Sequence, residues 1–148
     1  MKKHKGKAIM YKLLQNQALR TFHNEINDLG WEGVSEKYPA VKAALDTQTF
    51  GSERFLMSML PYYTHVADID ASTTEDAFVM HNNPTGDPVL EEQITRYGIQ
   101  HSMSVGDLLI DEKGNIYICD PMGFSYVGQD HEQPKGQSYT IPAKSVIA

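Results

Sequence analysis

Apolar residues return along this chain at two different spacings, and the change between them falls near residue 62. Between Ala8 and Leu29 they occupy Ile9, Met10, Leu13, Leu14, Ala18, Phe22, Ile26 and Leu29. Steps of three and four place these side chains on one stripe. The spacing therefore predicts an amphipathic helix over 8–29, with Gly30 as its stop. Trp31, the only tryptophan, is expected to fold back onto that helix end as a core or interface anchor. Ser35 to about Thr47 reads as a shorter second helix. Pro39 is tolerated only in its first turn, and Val41, Ala44 and Leu45 form its inner face. Phe50-Gly51-Ser52 is a break. A third helical segment, Ser52 to Leu60, then carries Phe55, Leu56 and Met59, and Pro61 closes it.

From Tyr62 the rhythm shortens. Tyr62 to Asp70 is rich in aromatic and β-branched residues and reads as a strand. Ser72-Thr73-Thr74-Glu75 has the form of a capping box, and Glu75 and Asp76 fall in a first turn where the helix dipole favours anions. That helix is predicted to run to about His81 and to stop at Asn82-Asn83-Pro84. Thr85 to Pro88 is the most loop-like interior stretch, and Leu90 to Tyr97 reads as a short helix ended by Gly98.

The clearest pattern is His101 to Gly128. Leu108–Ile110 and Ile116–Cys119 are strand-like runs around Asp111-Glu112-Lys113-Gly114-Asn115, a spacer of hairpin length containing a glycine. Asp120-Pro121-Met122-Gly123 fits a type I turn, and Phe124–Val127 follows as a third run. Leu108, Ile110, Ile116 and Ile118 share one parity, whereas Leu109, Tyr117 and Cys119 share the other. With both faces substantially apolar, the sheet should be covered on both sides or curled into a small barrel.

The expected fold class is α+β: a helical amino-terminal half, one β-α unit, then an antiparallel β-meander forming a small sheet or partial barrel. The strand at 62–70 should belong to the meander's sheet, because its apolar residues need a partner surface. A chain of 148 residues suggests one domain over 1–148, burying about 70% of its unfolded surface. Within it 1–61 is mainly helical and 62–128 is mixed. Residues 129–148 form a polar tail in which Tyr139–Pro142 and Val146-Ile147 either add an edge strand or stay disordered.

Charge and cysteine content narrow the function classes. The formal net charge is −6, from 19 acidic against 13 basic residues, which disfavours a broad nucleic-acid-binding face. The same ratio is too low in carboxylates for a strong nucleic-acid mimic. A single cysteine excludes an internal disulfide framework and suits a reducing cytosol. No apolar run approaches a membrane span. The basic start, Met-Lys-Lys-His-Lys-Gly-Lys, leads into an apolar run that meets Gln15-Asn16-Gln17 without a small-residue cleavage site, so secretion is not expected. The lysines read as a solvated end rather than a nucleic-acid arm.

Candidate chemistry is sparse. His65, His81, His101 and His131 lie in separate segments, without the close spacing of a helix-borne zinc motif. Cys119 sits in an apolar strand and reads as a buried structural thiol rather than a nucleophile. Asp68, Asp70, Glu75 and Asp76 surround a strand-to-helix turn that would suit Mg²⁺. Capping already accounts for Glu75 and Asp76, leaving Asp68 and Asp70 as strand-end residues. No phosphate-loop, dinucleotide or nucleophile-elbow motif occurs. Catalytic residues, cofactor and metal are all expected to be none.

His101-Ser-Met-Ser-Val-Gly-Asp107, followed by a hairpin and the Gly123-Phe124 end, resembles the SLSVGD…GF pattern of the YodL-like family. These are small accessory proteins of phages, plasmids and integrative elements. Tyr63-Thr-His-Val-Ala-Asp-Ile-Asp70, with Ala77-Phe78 after it, is similar to the strand and helix preceding that pattern, so the resemblance spans roughly 62–128. Met103 stands where leucine is commoner, and Pro121-Met122 precedes the Gly-Phe. The resemblance implies a mobile-element protein acting in a host cytoplasm, with no activity assigned to particular residues. The leading expectation is a non-enzymatic module that binds a host protein, with counteraction of restriction or another host defence foremost. Tyr62, Met122, Phe124 and Tyr126 are the candidate anchors, since exposed aromatics and methionines dominate interface energetics. The alternatives are a small-barrel nucleic-acid binder and a metal-assisted hydrolase at the Asp68–Asp70 turn.

Overall fold

A computed structural model describes residues 8–130 and 138–141. Its centre is a six-stranded antiparallel sheet, and the middle of that sheet is the first strand of the chain. Strands β1 (Ile9–Asn16), β2 (Tyr63–Ala71), β3 (Ile94–Arg96), β4 (Leu108–Ile110), β5 (Asn115–Cys119) and β6 (Phe124–Gln129) lie in the order β3-β2-β1-β4-β5-β6. Helices α1 (Ala18–Thr21), α2 (His23–Lys37) and α3 (Pro39–Phe50) follow β1, α4 (Thr74–Asn82) follows β2, and α5 (Pro88–Glu91) precedes β3. The fold is α+β, with helices concentrated in the amino-terminal half. The strand after residue 62 does share a sheet with the meander, but β1 separates them.

The helix expected over 8–29 is therefore corrected. Ile9–Asn16 is a strand, and helix begins only at Ala18. Ile9, Met10, Leu13 and Leu14 satisfy a helical stripe, but a short apolar run fits a central strand covered on both faces equally well. Here Leu13 faces one side, Leu14 faces the other, and both are fully buried. Gly30 does interrupt the helical path. Its φ of 75° and ψ of 170° break α2, after which helix resumes as far as Lys37.

Three other expectations change. Leu90–Tyr97 is not one helix: α5 ends at Glu91, and Ile94–Arg96 pairs with Ala67–Ile69 of β2. Pairing satisfies the backbone groups of an otherwise open β2 edge, which outweighs a marginal local helical preference. The segment 52–60 forms two 3-10 turns, Gly51–Glu53 and Met57–Tyr62, with Pro61 inside the second rather than beyond it. Trp31 is 54% exposed rather than part of the core; α2 packs on α1 and α3 and buries only Val34.

Most of the turn chemistry reads as expected, with small displacements. Pro39 is in the first turn of α3, which starts there and not at Ser35; Ser35 to Lys37 close α2 instead, because the proline cannot sit inside a continuous helix. The cap of α4 is Thr73, whose hydroxyl accepts from Asp76 N–H, one residue later than the capping box suggests. Asn83, at φ 37°, ends that helix, and its side chain bonds Asp87 across the 84–87 loop. In the first meander loop Asp111 Oδ1 accepts from the backbone N–H groups of Lys113 and Asn115. The second differs from the type I turn expected at Asp120–Gly123: Asp120 N–H donates to Gly123 O at 2.8 Å, the reverse of the type I bond, and so closes the hairpin between β5 and β6.

Both faces of the sheet are covered, as their composition predicts. Under α4, packed against its Ala77, lie Tyr11, Leu13, Ile69 and Leu109. Leu108, Ile110, Ile116 and Ile118 share the opposite face, as their parity predicts, with Leu14, Phe55, Met59, Leu60 and Tyr63. Each fully buried large aliphatic side chain contributes roughly 1.5–3 kcal/mol. Beyond β3, Thr140 bridges to Thr64 on the same β2 edge, which places part of the tail as an added edge. His131, Pro142 and Val146-Ile147 lie outside the described residues.

Candidate binding groove

Three segments meet on the α4 side of the sheet, and each is fixed by its own polar anchors. The first is the 101–107 loop. Gln15 of β1 is fully buried and directs its amide into this loop: Nε2 donates to His101 O at 2.8 Å and Asp107 Oδ2 at 3.0 Å, while Oε1 accepts from His101 N–H. Asp107 Oδ2 also accepts from Ser104 N–H, and Tyr63 Oη donates to Gly106 O at 2.6 Å. Gly106, at φ 95°, packs so closely on α3 that a Cβ there would stand 3.2 Å from Thr47 O. The Ser-Val-Gly-Asp run is thus a braced turn. Burial pushes the Asp107 carboxyl up to about 8, against the pull of the Ser104 and Gln15 hydrogen bonds.

The second segment is α4, clamped to that loop by Asn82, whose side chain accepts from Met103 N–H and donates to Met103 O. The third is the β5–β6 turn. Asp120 accepts from Ser52 N–H at 2.7 Å, from Ser52 Oγ and from Ser125 Oγ. Burial opposes ionisation of Asp120, but these bonds, Ser125 foremost, hold its carboxyl below the usual carboxylate range.

Between the three segments lies a groove of about 510 Å³. Phe78, Val79, Met103, Val105, Pro121 and Phe124 make it predominantly apolar, with Glu75 and Asp120 as its only ionisable carboxylates. Phe124 stands edge-on to Phe78 with ring centroids 6.4 Å apart. Such a recess can accept an apolar side chain, since its walls are already desolvated on one side and held in place. The thiol of Cys119 also lines it, but is 4% exposed and pushed up to about 12 by burial and then by the nearby carboxylates of Asp107 and Asp120. Cys119 is accordingly expected to resist thiol-specific reagents at neutral pH in the folded protein and to react at an ordinary rate in denaturant. Rapid labelling of native protein would contradict this assignment.

Of the candidate anchors, Phe124 is in the groove, and Met122 stands 91% exposed at its lip between Pro121 and Gly123. Tyr126, 55% exposed, lies along the same hairpin and packs edge-on to Tyr117 at 6.0 Å. Tyr62 is in a separate element, the 3-10 turn before β2, where its carbonyl accepts from Gln17 N–H. Glu75, Val79, Met103 and Val105 were not legible as site residues. The available signal was Phe78-Val79, two adjacent apolar residues on a nine-residue helix, only one of which can face the core.

Of the titratable groups weighed for catalysis, His65, Asp68 and His81 are held by bonds to neighbouring side chains. His65 is 2% exposed and its Nε2 lies 2.7 Å from Asp68 Oδ1, while Tyr97 Oη donates to Asp68 Oδ2. Asp70 N–H donates to Gln93 O. His81 is buried, its Nε2 lies 2.8 Å from Gln100 Oε1 and its carbonyl accepts from Arg96 Nη2, and burial chiefly, with the Arg96 guanidinium, holds it below the ordinary histidine range. Among the described residues no three His, Cys, Asp or Glu side chains gather to hold a metal ion. No described helix is long and apolar enough to cross a membrane. No family model, curated protein or solved structure matches this chain.

Proposed function

We propose that this chain is a protein-binding module that captures a partner segment in the groove between α4, the 101–107 loop and the β5–β6 turn. The observation that carries the reading is the convergence of apolar walls from three separately braced segments, with Met122 exposed at the lip. A surface methionine beside a preformed apolar recess is a costly arrangement for a chain with nothing to bind, because it leaves removable apolar area in water. The resemblance to mobile-element accessory proteins supplies the setting: a host cytoplasm and a host protein as partner, with a restriction or other defence factor foremost.

Affinity purification of the tagged full chain from nuclease-treated host lysate tests this. A single stoichiometric protein should co-purify with the wild type and be lost with Val79→Glu, a change at a position already 58% exposed. Recovery of nuclease-sensitive material alone, or of the same protein with both forms, would count against the groove.

A further inference from the structure

Beyond Phe124, the sheet face that carries the groove also bears a pair of tyrosines with carboxylates close by. Leu13 pairs with Leu109, Leu109 with Tyr117 and Tyr117 with Tyr126, so these side chains share the face that carries the groove. Tyr117 and Tyr126 form an edge-on pair, and Tyr126 is exposed. Glu75 joins the two regions. It lines the groove, where its Oε2 would stand 4.0 Å from a Cβ at Gly123, and its charge also reaches Tyr11 on the sheet. Asp76 and Asp111 act on Tyr11 as well, and Asp111 on Tyr117. None of the groove-lining residues is basic. Asp120 is taken up by Ser52 and Ser125, and Asp111 by its own turn, whereas Glu75 is exposed and bonded only to the neighbouring Thr74 hydroxyl among the described contacts.

We infer that the partner segment presents a large apolar side chain to the groove and, about two residues away, an arginine or lysine that lies between Glu75 and the Tyr117–Tyr126 pair. This rests on the groove being a binding site and adds the chemistry of what it binds. The spacing follows from the strand: Phe124 and Tyr126 are two residues apart, about 7 Å, which is also the two-residue step of an extended peptide lying along β6. The cation follows from charge complementarity. A carboxylate and two tyrosine rings offer ion-pair and cation–π contacts together, and an acidic segment would meet repulsion from Glu75, Asp76 and Asp111.

Selection of random linear nonapeptides against the immobilised full chain tests the inference without a known partner. Enriched sequences should pair Leu, Met, Phe or Trp with Arg or Lys two or three positions away. A synthetic peptide of the enriched sequence should bind about tenfold or more weakly to Val79→Glu, and about three- to tenfold more weakly to Glu75→Lys and to Tyr126→Ala, with Glu75→Gln between. Its affinity should also fall as salt rises. Val79, Glu75 and Tyr126 are all exposed, and melting curves confirm that each variant is folded. Peptides that depend on Val79 but lack a basic residue, or ignore Glu75→Lys, would overturn the inference and leave the groove standing. If no enriched peptide responds to Val79→Glu, both fall.

Discussion

Gly51→Ala is expected to cost about 3 kcal/mol and to lower the melting temperature by about 10 °C. Gly51 ends α3 at φ 63° and ψ −126°, a conformation that side-chain-bearing residues rarely adopt. A Cβ there would lie 2.3 Å from Asp120 Oδ1 and 3.2 Å from Cys119 O. The alanine therefore adds backbone strain and also displaces the carboxylate that holds Ser52 and Ser125, loosening the turn that forms one wall of the groove. Gly86→Ala provides the control, because Gly86 also has a positive φ (69°) but has nothing within 4 Å of its Cβ position. Strain alone should cost about 1 kcal/mol. Equal melting temperatures for the two variants would show that Asp120 is not crowded and that the coupling from α3 to the groove does not exist.

The second large effect is a pH slope. Asp107 titrates near 3.8 when unfolded and near 8 when folded, because burial opposes its charge. Between these values the folded state holds a proton that the unfolded state has released, so this group's contribution is greatest below pH 4 and is lost as pH rises through 8. Several kcal/mol, on the order of 1.4 per pH unit across that window, depend on it. Asp107→Asn removes the slope while an amide oxygen still accepts from Gln15 and Ser104. The variant should gain stability over the wild type progressively from pH 5 to pH 8. Urea midpoints measured across that range decide the matter, and parallel wild-type and variant profiles would refute the buried-acid assignment. The neutral, buried His81 acts in the opposite direction: with its pKa below 6.5, it withdraws stability as pH falls below that value. Its contribution is common to both proteins and cancels in the comparison.

What the sequence made legible was local. Asp111 to Asn115 and Asp120 to Gly123 carry their turn chemistry in their own residue types, so the meander and its facial parity could be read directly. Pro39 and Thr73 announce helix starts for the same reason. What was hidden depends on partners distant in sequence. Ile9 to Asn16 has no turn residues inside it and an apolar pattern compatible with two periods. Only the neighbours β2 and β4 make it a strand. Ile94–Arg96 is similar: Thr95 is a weak β signal, and the pairing with Ala67–Ile69 decides. Gln15 reads only as the polar residue that ends an apolar run, yet it is the buried brace of the 101–107 loop. The groove was only half visible, because Phe124 and Met122 belong to the readable hairpin, whereas Glu75 and Val79 enter from a helix whose placement the sequence does not encode locally.

The position of β1 has a consequence for how the chain reaches this state. The earliest of the six described strands becomes the middle of the sheet, and its neighbours are Tyr63–Ala71 on one side and Leu108–Ile110 on the other. Closing those long loops is an entropic cost met before any burial of Leu13 or Leu14 is gained. Until Ile110 has left the ribosome, one edge of β1 stays open, with apolar residues on both faces. Folding should therefore be late and slow relative to synthesis. A chain interrupted between β3 and β4 would present that edge for pairing with other chains, which makes aggregation of truncated products the characteristic failure of this topology.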